Sequence, residues 1–231
     1  MKTIGVLGGM SWESTQTYYR LLNQGVQARL GGLHSAKVVL YSVDFAEIET
    51  LQHQGDWDAA GDMLATAARS VEAAGADFLL IGTNTMHKVA THIEAAVQIP
   101  LLHIADATAQ ALQRDGIDRV GLLGTRFTME QAFYRERLDS HGIEVLVPDE
   151  EQRTTIHDVI YQELCLGRIN DASKQQYLHV VNSLTERGAQ GVILGCTEIG
   201  LLIQQADTGT PLFDTTELHA AQAVEYALKD H

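Results

Sequence analysis

Two polar residues close corresponding apolar runs, and both are of types that can move a proton. Cys196 ends Gly191-Val192-Ile193-Leu194-Gly195 and precedes Thr197-Glu198; Thr83 ends Phe78-Leu79-Leu80-Ile81-Gly82 and precedes Asn84-Thr85. A cysteine where a strand turns into a helix meets free N–H groups and the positive end of the helix dipole, which favour the reactive thiolate. The correspondence is part of a longer repeat. Gly5-Val6-Leu7-Gly8-Gly9 returns as Gly121-Leu122-Leu123-Gly124-Thr125, and the segment from Gly75 to Thr85 as Gly188 to Glu198. Pro100-Leu101-Leu102-His103 returns as Pro211-Leu212-Phe213-Asp214, and the three offsets are 116, 113 and 111 residues. Two similar lobes facing one another set Thr83 and Cys196 on opposite sides of one cleft. That arrangement suits chemistry on the two faces of a single carbon.

Each residue also has a plainer reading. A lone cysteine is most often a small core residue, and Cys165, near a helix end in Glu163-Leu164-Cys165-Leu166-Gly167, fits that description. The strand-end place of Cys196 argues for reaction instead. Glu198 either orients the site or only favours a first helical turn, and the residues leave both open. A threonine at a strand end is usually a cap; its pairing with Cys196 through the repeat promotes Thr83. Asn84 and Thr85 offer donors to a carboxylate. His87, one turn beyond, either supports the site residues from behind or, as is commoner, is a capped or solvated histidine, and Lys88 and Arg126 read as solvent-facing.

The Gly8-Gly9 turn is not a GxGxxG, and no GxxxxGK[ST] occurs. It is expected to present backbone N–H groups to a substrate carboxylate. Ten histidines form no HxH or HExxH pair, so no metal site and no cofactor are expected.

These residues must be held by alternating strands and helices. The apolar run from Thr3 to Leu7 predicts a buried strand, followed by a helix that Ser11 or Ser14 caps. Further strands are expected at 38–43, 78–82 and 100–104, with helices at 56–74, 86–97 and 106–114. The second half repeats this order, with strands at 119–123, 143–147, 192–194 and 211–213. Its helices are expected at 129–140, 156–166, 171–187 and 217–228. The fold class is therefore α/β, with two pseudo-symmetric lobes. Each is a short parallel sheet flanked by helices, and a cleft lies between them. Residues 1–103 with 216–231 are expected to form the first lobe and 104–215 the second. Ligands of such sheets bind beyond the carboxyl ends of the strands, where Gly8-Gly9-Met10-Ser11, Thr83-Asn84-Thr85, Thr125 and Cys196-Thr197-Glu198 stand.

Composition narrows the partners. Lys plus Arg number 16 against 30 Asp plus Glu, a formal charge of -14. That field repels phosphate backbones and anionic lipid, so neither nucleic acid nor a membrane surface is an expected partner. No apolar run reaches membrane-spanning length. The start reads straight into a strand without a signal-peptide core, and the two cysteines form no CxxC. A cytoplasmic protein with reduced thiols is expected.

Gly-Gly-Met-Ser-Trp-Glu-Ser-Thr at 8–15, Thr-Asn-Thr-Met-His-Lys at 83–88 and Gly-Cys-Thr-Glu-Ile at 195–199 resemble the motifs of the aspartate/glutamate racemase family, most closely its enterobacterial branch. The resemblance covers the whole chain. It implies a cofactor-independent, PLP-independent isomerase, commonly a homodimer. Two thiols there flank the substrate Cα; one removes the proton and the other returns one to the opposite face. The second family cysteine is Cys196, while Thr83 stands in place of the first. The motifs carry substrate contacts onto Met10, Asn84, Thr85 and Thr197, and more weakly onto Gln52 and Glu163. In the Glu-Leu-x-x-Gly motif at 163–167, the lysine that many aspartate-preferring members carry just before the glycine is absent, so glutamate or a broader set of amino acids fits at least as well as aspartate. The resemblance thus implies a racemase acting on an acidic or related amino acid, with Cys196 as base and Thr83 as opposite-face donor. The alternatives are a single-cysteine decarboxylase of the same superfamily and an amino-acid binding protein without turnover.

Overall fold

Strands buried on both faces are apolar throughout, and such strands form the middle of two parallel sheets in this protein. In the computed structural model, which describes residues 1–229, the chain forms two compact units. One is Met1–Ile104 with the C-terminal segment from His219; the other is Ala105–Leu218.

The first unit carries β1 (Ile4–Gly8), β2 (Val38–Ser42) and β3 (Phe78–Ile81), ordered β2-β1-β3 and all parallel. Alternation along the strands divides its core. Ile4, Val6, Phe78 and Leu80 face α1 (Trp12–Leu30) and the C-terminal part of α11 (Thr215–Leu228), meeting Tyr18, Leu22, Val26, Ala220 and Val224. Leu7, Leu79 and Ile81 point the other way, into a cluster with α2 (Phe45–Gln54), α3 (Trp57–Ala73) and α4 (Ala90–Ala96). Gly5 lets α3 approach: a Cβ there would lie 2.6 Å from Val71 Cγ1 and 2.9 Å from the Phe78 carbonyl. Ser11, not Ser14, is the cap of α1, its hydroxyl accepting from the Ser14 amide.

The second unit begins within α5 (Ile104–Arg114) and repeats the plan with β4 (Arg119–Gly124), β5 (Glu144–Leu146), β6 (Val192–Gly195) and β7 (Leu212–Asp214), ordered β5-β4-β6-β7. Its helices are α6 (Arg126–Glu130), α7 (Ala132–Asp139), α8 (Glu150–Gln162), α9 (Asp171–Glu186) and the one-turn α10 (Ile199–Leu202). The repeat extends to the register. Gly5 pairs with Leu79 as Gly121 pairs with Val192, and the Leu79 and Val192 amides bond the Pro100 and Pro211 carbonyls.

Four expectations are corrected. Residues 100–104 form no strand but one bridge, Leu79 to Leu101, because the chain enters α5 at Ile104. The helix expected at 86–97 is a 3₁₀ turn over Thr85–Val89 followed by α4. The helix at 129–140 is two, since Gln131 is extended (ψ 150°) and separates α6 from α7. Helix α8 starts at Glu150, not at 156, because Asp149 and Gln152 form a capping box; its expected end at 164–166 is a 3₁₀ turn. The sequence reading also missed α2, which Asp44 caps through the Ala46 amide.

Candidate active site

Both proton-moving candidates lie just beyond the carboxyl ends of strands that pair with the first strand of their sheet. Thr83 follows β3 through Gly82, whose amide bonds the Leu7 carbonyl. Cys196 follows β6 directly.

In the first unit Thr83 is half-buried, whereas Asn84 and Thr85 are almost fully buried. Met10 sits at the end of β1, buried in the same cluster as Met86. Gln52 projects from α2 and is buried too, its amide nitrogen 3.0 Å from Met86 Sδ. Gln52 is thereby fixed beside the turn that carries Thr83. The Gly8-Gly9 turn does not do what the sequence suggests. The Gly9 amide donates to Thr15 Oγ1 at 2.8 Å, and the Gly8 carbonyl accepts from the Val43 amide. With φ +91°, Gly9 is packed against the Val43 carbonyl, so this turn joins β1 to α1 and the end of β2.

His87 is buried, not solvated. Its Nδ1 lies 2.8 Å from the Thr83 carbonyl and its Nε2 accepts from the Ile104 amide at 3.2 Å. Burial, and then the neighbouring His103 and His219 rings, hold its pKa well below 6.5. Lys88 does not simply face solvent either: its ammonium lies 4.0 Å over the Trp57 ring. Arg126 is exposed, as expected.

In the second unit Cys196 is 8% exposed and its thiol donates to Glu198 Oε2 at 3.0 Å. The Thr197 hydroxyl donates to the same oxygen at 2.8 Å. This environment favours the thiol over the expected thiolate. Burial, and then the Glu198 carboxylate and Cys165, push the Cys196 thiol well above its ordinary value. The physical reason is that α10 has one turn and supplies little dipole, while a carboxylate faces the sulfur. Glu163 ends α8 and accepts from Ser173 Oγ at 2.7 Å. Tyr177, buried on α9, donates to the Ile156 carbonyl. Its phenol is pushed upward, first by burial and then by the charges of Cys196, Glu163, Cys165 and Glu198. Cys165 packs against the core cluster that holds Cys196. Among the described residues no three His, Cys, Asp or Glu side chains are grouped to hold a metal ion. None of the described helices is long and apolar enough to cross a membrane.

The sequence profile of the Asp/Glu/hydantoin racemases matches residues 7–223. The chain belongs to that family. It is accordingly an isomerase of the PLP-independent amino-acid racemase type. A Yersinia pestis protein assigned as an Asp/Glu racemase is 57% identical, with 99% of this chain and 100% of that one covered and a TM-score of 0.92. An aspartate racemase homologue from Pyrococcus horikoshii OT3 is 33% identical over 99% of this chain and 100% of that one, with a TM-score of 0.86. The broad specificity amino-acid racemase RacX of Bacillus subtilis is 24% identical, covering 96% of each chain.

Within this racemase fold, sequence reasoning missed Tyr177 and did not foresee the burial of His87. Tyr177 gave a signal only as one buried position of an amphipathic helix. His87 stood four residues from Thr83, the spacing at which a side chain reaches back to a preceding carbonyl. Nothing in the sequence indicated that the ring would be enclosed.

Proposed function

We propose that the protein racemises an acidic or related amino acid, with Cys196 as the base on one face of Cα and Thr83 as the donor on the other. The observation that carries this reading is the equivalence of the two residues. Each follows the strand that pairs with its unit's first strand in the same register. In the forward step the Cα–H bond breaks, its proton forms an S–H bond on Cys196, and the electron pair enters the substrate carboxyl as an enolate. A new Cα–H bond then forms with the Thr83 hydroxyl proton, and the alkoxide recovers a proton from water. Glu198 is suited to take the thiol proton beforehand, since it already accepts the Cys196 hydrogen bond. A thiol of raised pKa is rarely ionised but is a stronger base once ionised, which suits a weak carbon acid. Asn84, Thr85, Thr197, Met10, Gln52 and Glu163 are assigned to substrate contact. The breadth of substrate follows the broad-specificity Bacillus relative as much as the aspartate homologue.

The reading is tested with an amino-acid panel in heavy water, following deuterium at Cα of each enantiomer. Exchange and inversion on glutamate, aspartate or a related amino acid support it; no exchange on any member of the panel overturns it. A second reading is favoured by one observation, the single thiol left by Thr83. A decarboxylase of disubstituted malonates needs only one thiol, and carbon dioxide release without Cα exchange of amino acids would establish it. We further propose a cytoplasmic homodimer, which light scattering and fractionation check.

A further inference from the structure

We propose that His87 is a positioning residue for racemisation, its neutral ring clamping the Thr83 carbonyl to the Ile104 amide and so fixing the Thr83 hydroxyl. The inference rests on the reading of Thr83 as the opposite-face donor.

The clamp follows from hydrogen-bond bookkeeping on one ring. An amide can only donate, so the Ile104 N–H requires a lone pair on Nε2; a carbonyl can only accept, so the Thr83 oxygen requires a proton on Nδ1. The two bonds together specify one tautomer of the neutral imidazole. A protonated ring would turn Nε2 into a donor facing a donor. The titratable groups packed against the ring are His103, 4.4 Å between centroids, and His219, 5.9 Å away; Tyr18 backs His219. His219 is itself tied at both nitrogens, Nδ1 by the Tyr18 hydroxyl at 2.7 Å and Nε2 by the Leu102 carbonyl at 2.8 Å.

These bonds close a ring around the turn. Leu79 of β3 accepts from the Leu102 amide at 3.0 Å, Leu102 is held by His219, Ile104 by His87, and His87 returns to Thr83. The residue leaving β3 is thus tied back to β3 through the segment 102–104 and the His87 ring, in addition to the main chain between them. Each link is buried or partly buried, so water competes little for it. Small displacements of a proton donor cost large factors in rate, because transfer needs a near-attack geometry.

The experiment uses the full-length protein and the amino acid it turns over fastest. With the L enantiomer in heavy water, deuterium in recovered L substrate reports return from the base side. Deuterated D product reports delivery from the Thr83 side. The ratio of the two is insensitive to how much protein is folded. His87→Gln, which cannot donate from the Nδ1 position, is expected to lower inversion relative to retention by about tenfold or more. His87→Asn keeps an N–H near that position and is expected to recover most of the ratio. In the wild type, nitrogen-15 spectra of His87 are expected to show the Nδ1–H tautomer. The proposal is overturned if both variants keep a ratio within about twofold of wild type while Thr83→Ala lowers it. If Thr83→Ala leaves the ratio unchanged, the Thr83 assignment itself fails, and the positioning role falls with it.

Discussion

At the scale of single residues, the Cys196 thiol is governed by what faces it. Burial and the Glu198 carboxylate both favour its protonated form. Replacing Glu198 by Gln removes the opposing charge, so the thiol should ionise at lower pH. Alkylation by iodoacetamide should then reach half its limiting rate at lower pH in Glu198→Gln than in the wild type; an unmoved or upward-shifted profile counts against the carboxylate as its controller. The same variant should exchange Cα protons more slowly, because the thiolate is a weaker base and has lost its proton acceptor. Cys196→Ser should lose about 10²- to 10⁴-fold in exchange, the range typical of removing a general base, while circular dichroism stays native. Sequence reading went astray at this residue for an identifiable reason. The strand-to-helix position implied a dipole that favours a thiolate, and the helix that follows has only one turn.

At the scale of elements, the two sheets use glycine for the same purpose. Gly5 in β1 and Gly121 in β4 occupy equivalent places, and each lets a helix press onto the sheet. They should not respond alike to a methyl group. At Gly5 the added Cβ meets Val71 Cγ1 at 2.6 Å and the Phe78 carbonyl at 2.9 Å, so backbone must move. At Gly121 it meets Leu184 Cδ1 at 2.9 Å and Val192 Cγ2 at 3.1 Å, and side chains can give way. Gly5→Ala is therefore expected to cost about 2–3 kcal/mol and Gly121→Ala about 1 kcal/mol, within the usual range for overpacking. Urea unfolding of both variants measures the difference, and equal costs would contradict the argument. Helix α8 offers an independent check: Asp149→Ala breaks its capping box and should cost about 1 kcal/mol.

At the scale of the whole molecule, buried titratable groups in the two units oppose each other in acid. Burial brings the His219 pKa down from 6.5 to about 4. Between those values the unfolded chain binds a proton that the folded chain refuses, so stability is full above 6.5 and falls as pH drops through the window. The loss is about 3 kcal/mol, and His87 acts in the same direction. Asp214 acts the other way. Burial raises its pKa from 3.8 to about 6, so the folded chain protonates first and stability rises as pH falls between those values, again by about 3 kcal/mol. Calorimetry of Asp214→Asn from pH 7 to pH 4 should show a steeper fall in Tm than the wild type. His219→Gln, though less stable at neutral pH, should show a shallower one. Parallel curves for all three proteins would refute the assignment. None of this balance is legible in the chain as written, because His219, His87 and Asp214 look like ordinary polar residues until packing removes their water. The repeat, the parallel α/β class and the strand-end residues Thr83 and Cys196 are legible in the chain alone, since strand burial and turn chemistry are local and periodic. The pairing of Cys196 with Glu198, the use of the Gly9 amide by Thr15 and the enclosure of His87 emerge on folding alone. Each depends on which distant groups the folded chain brings within hydrogen-bond reach.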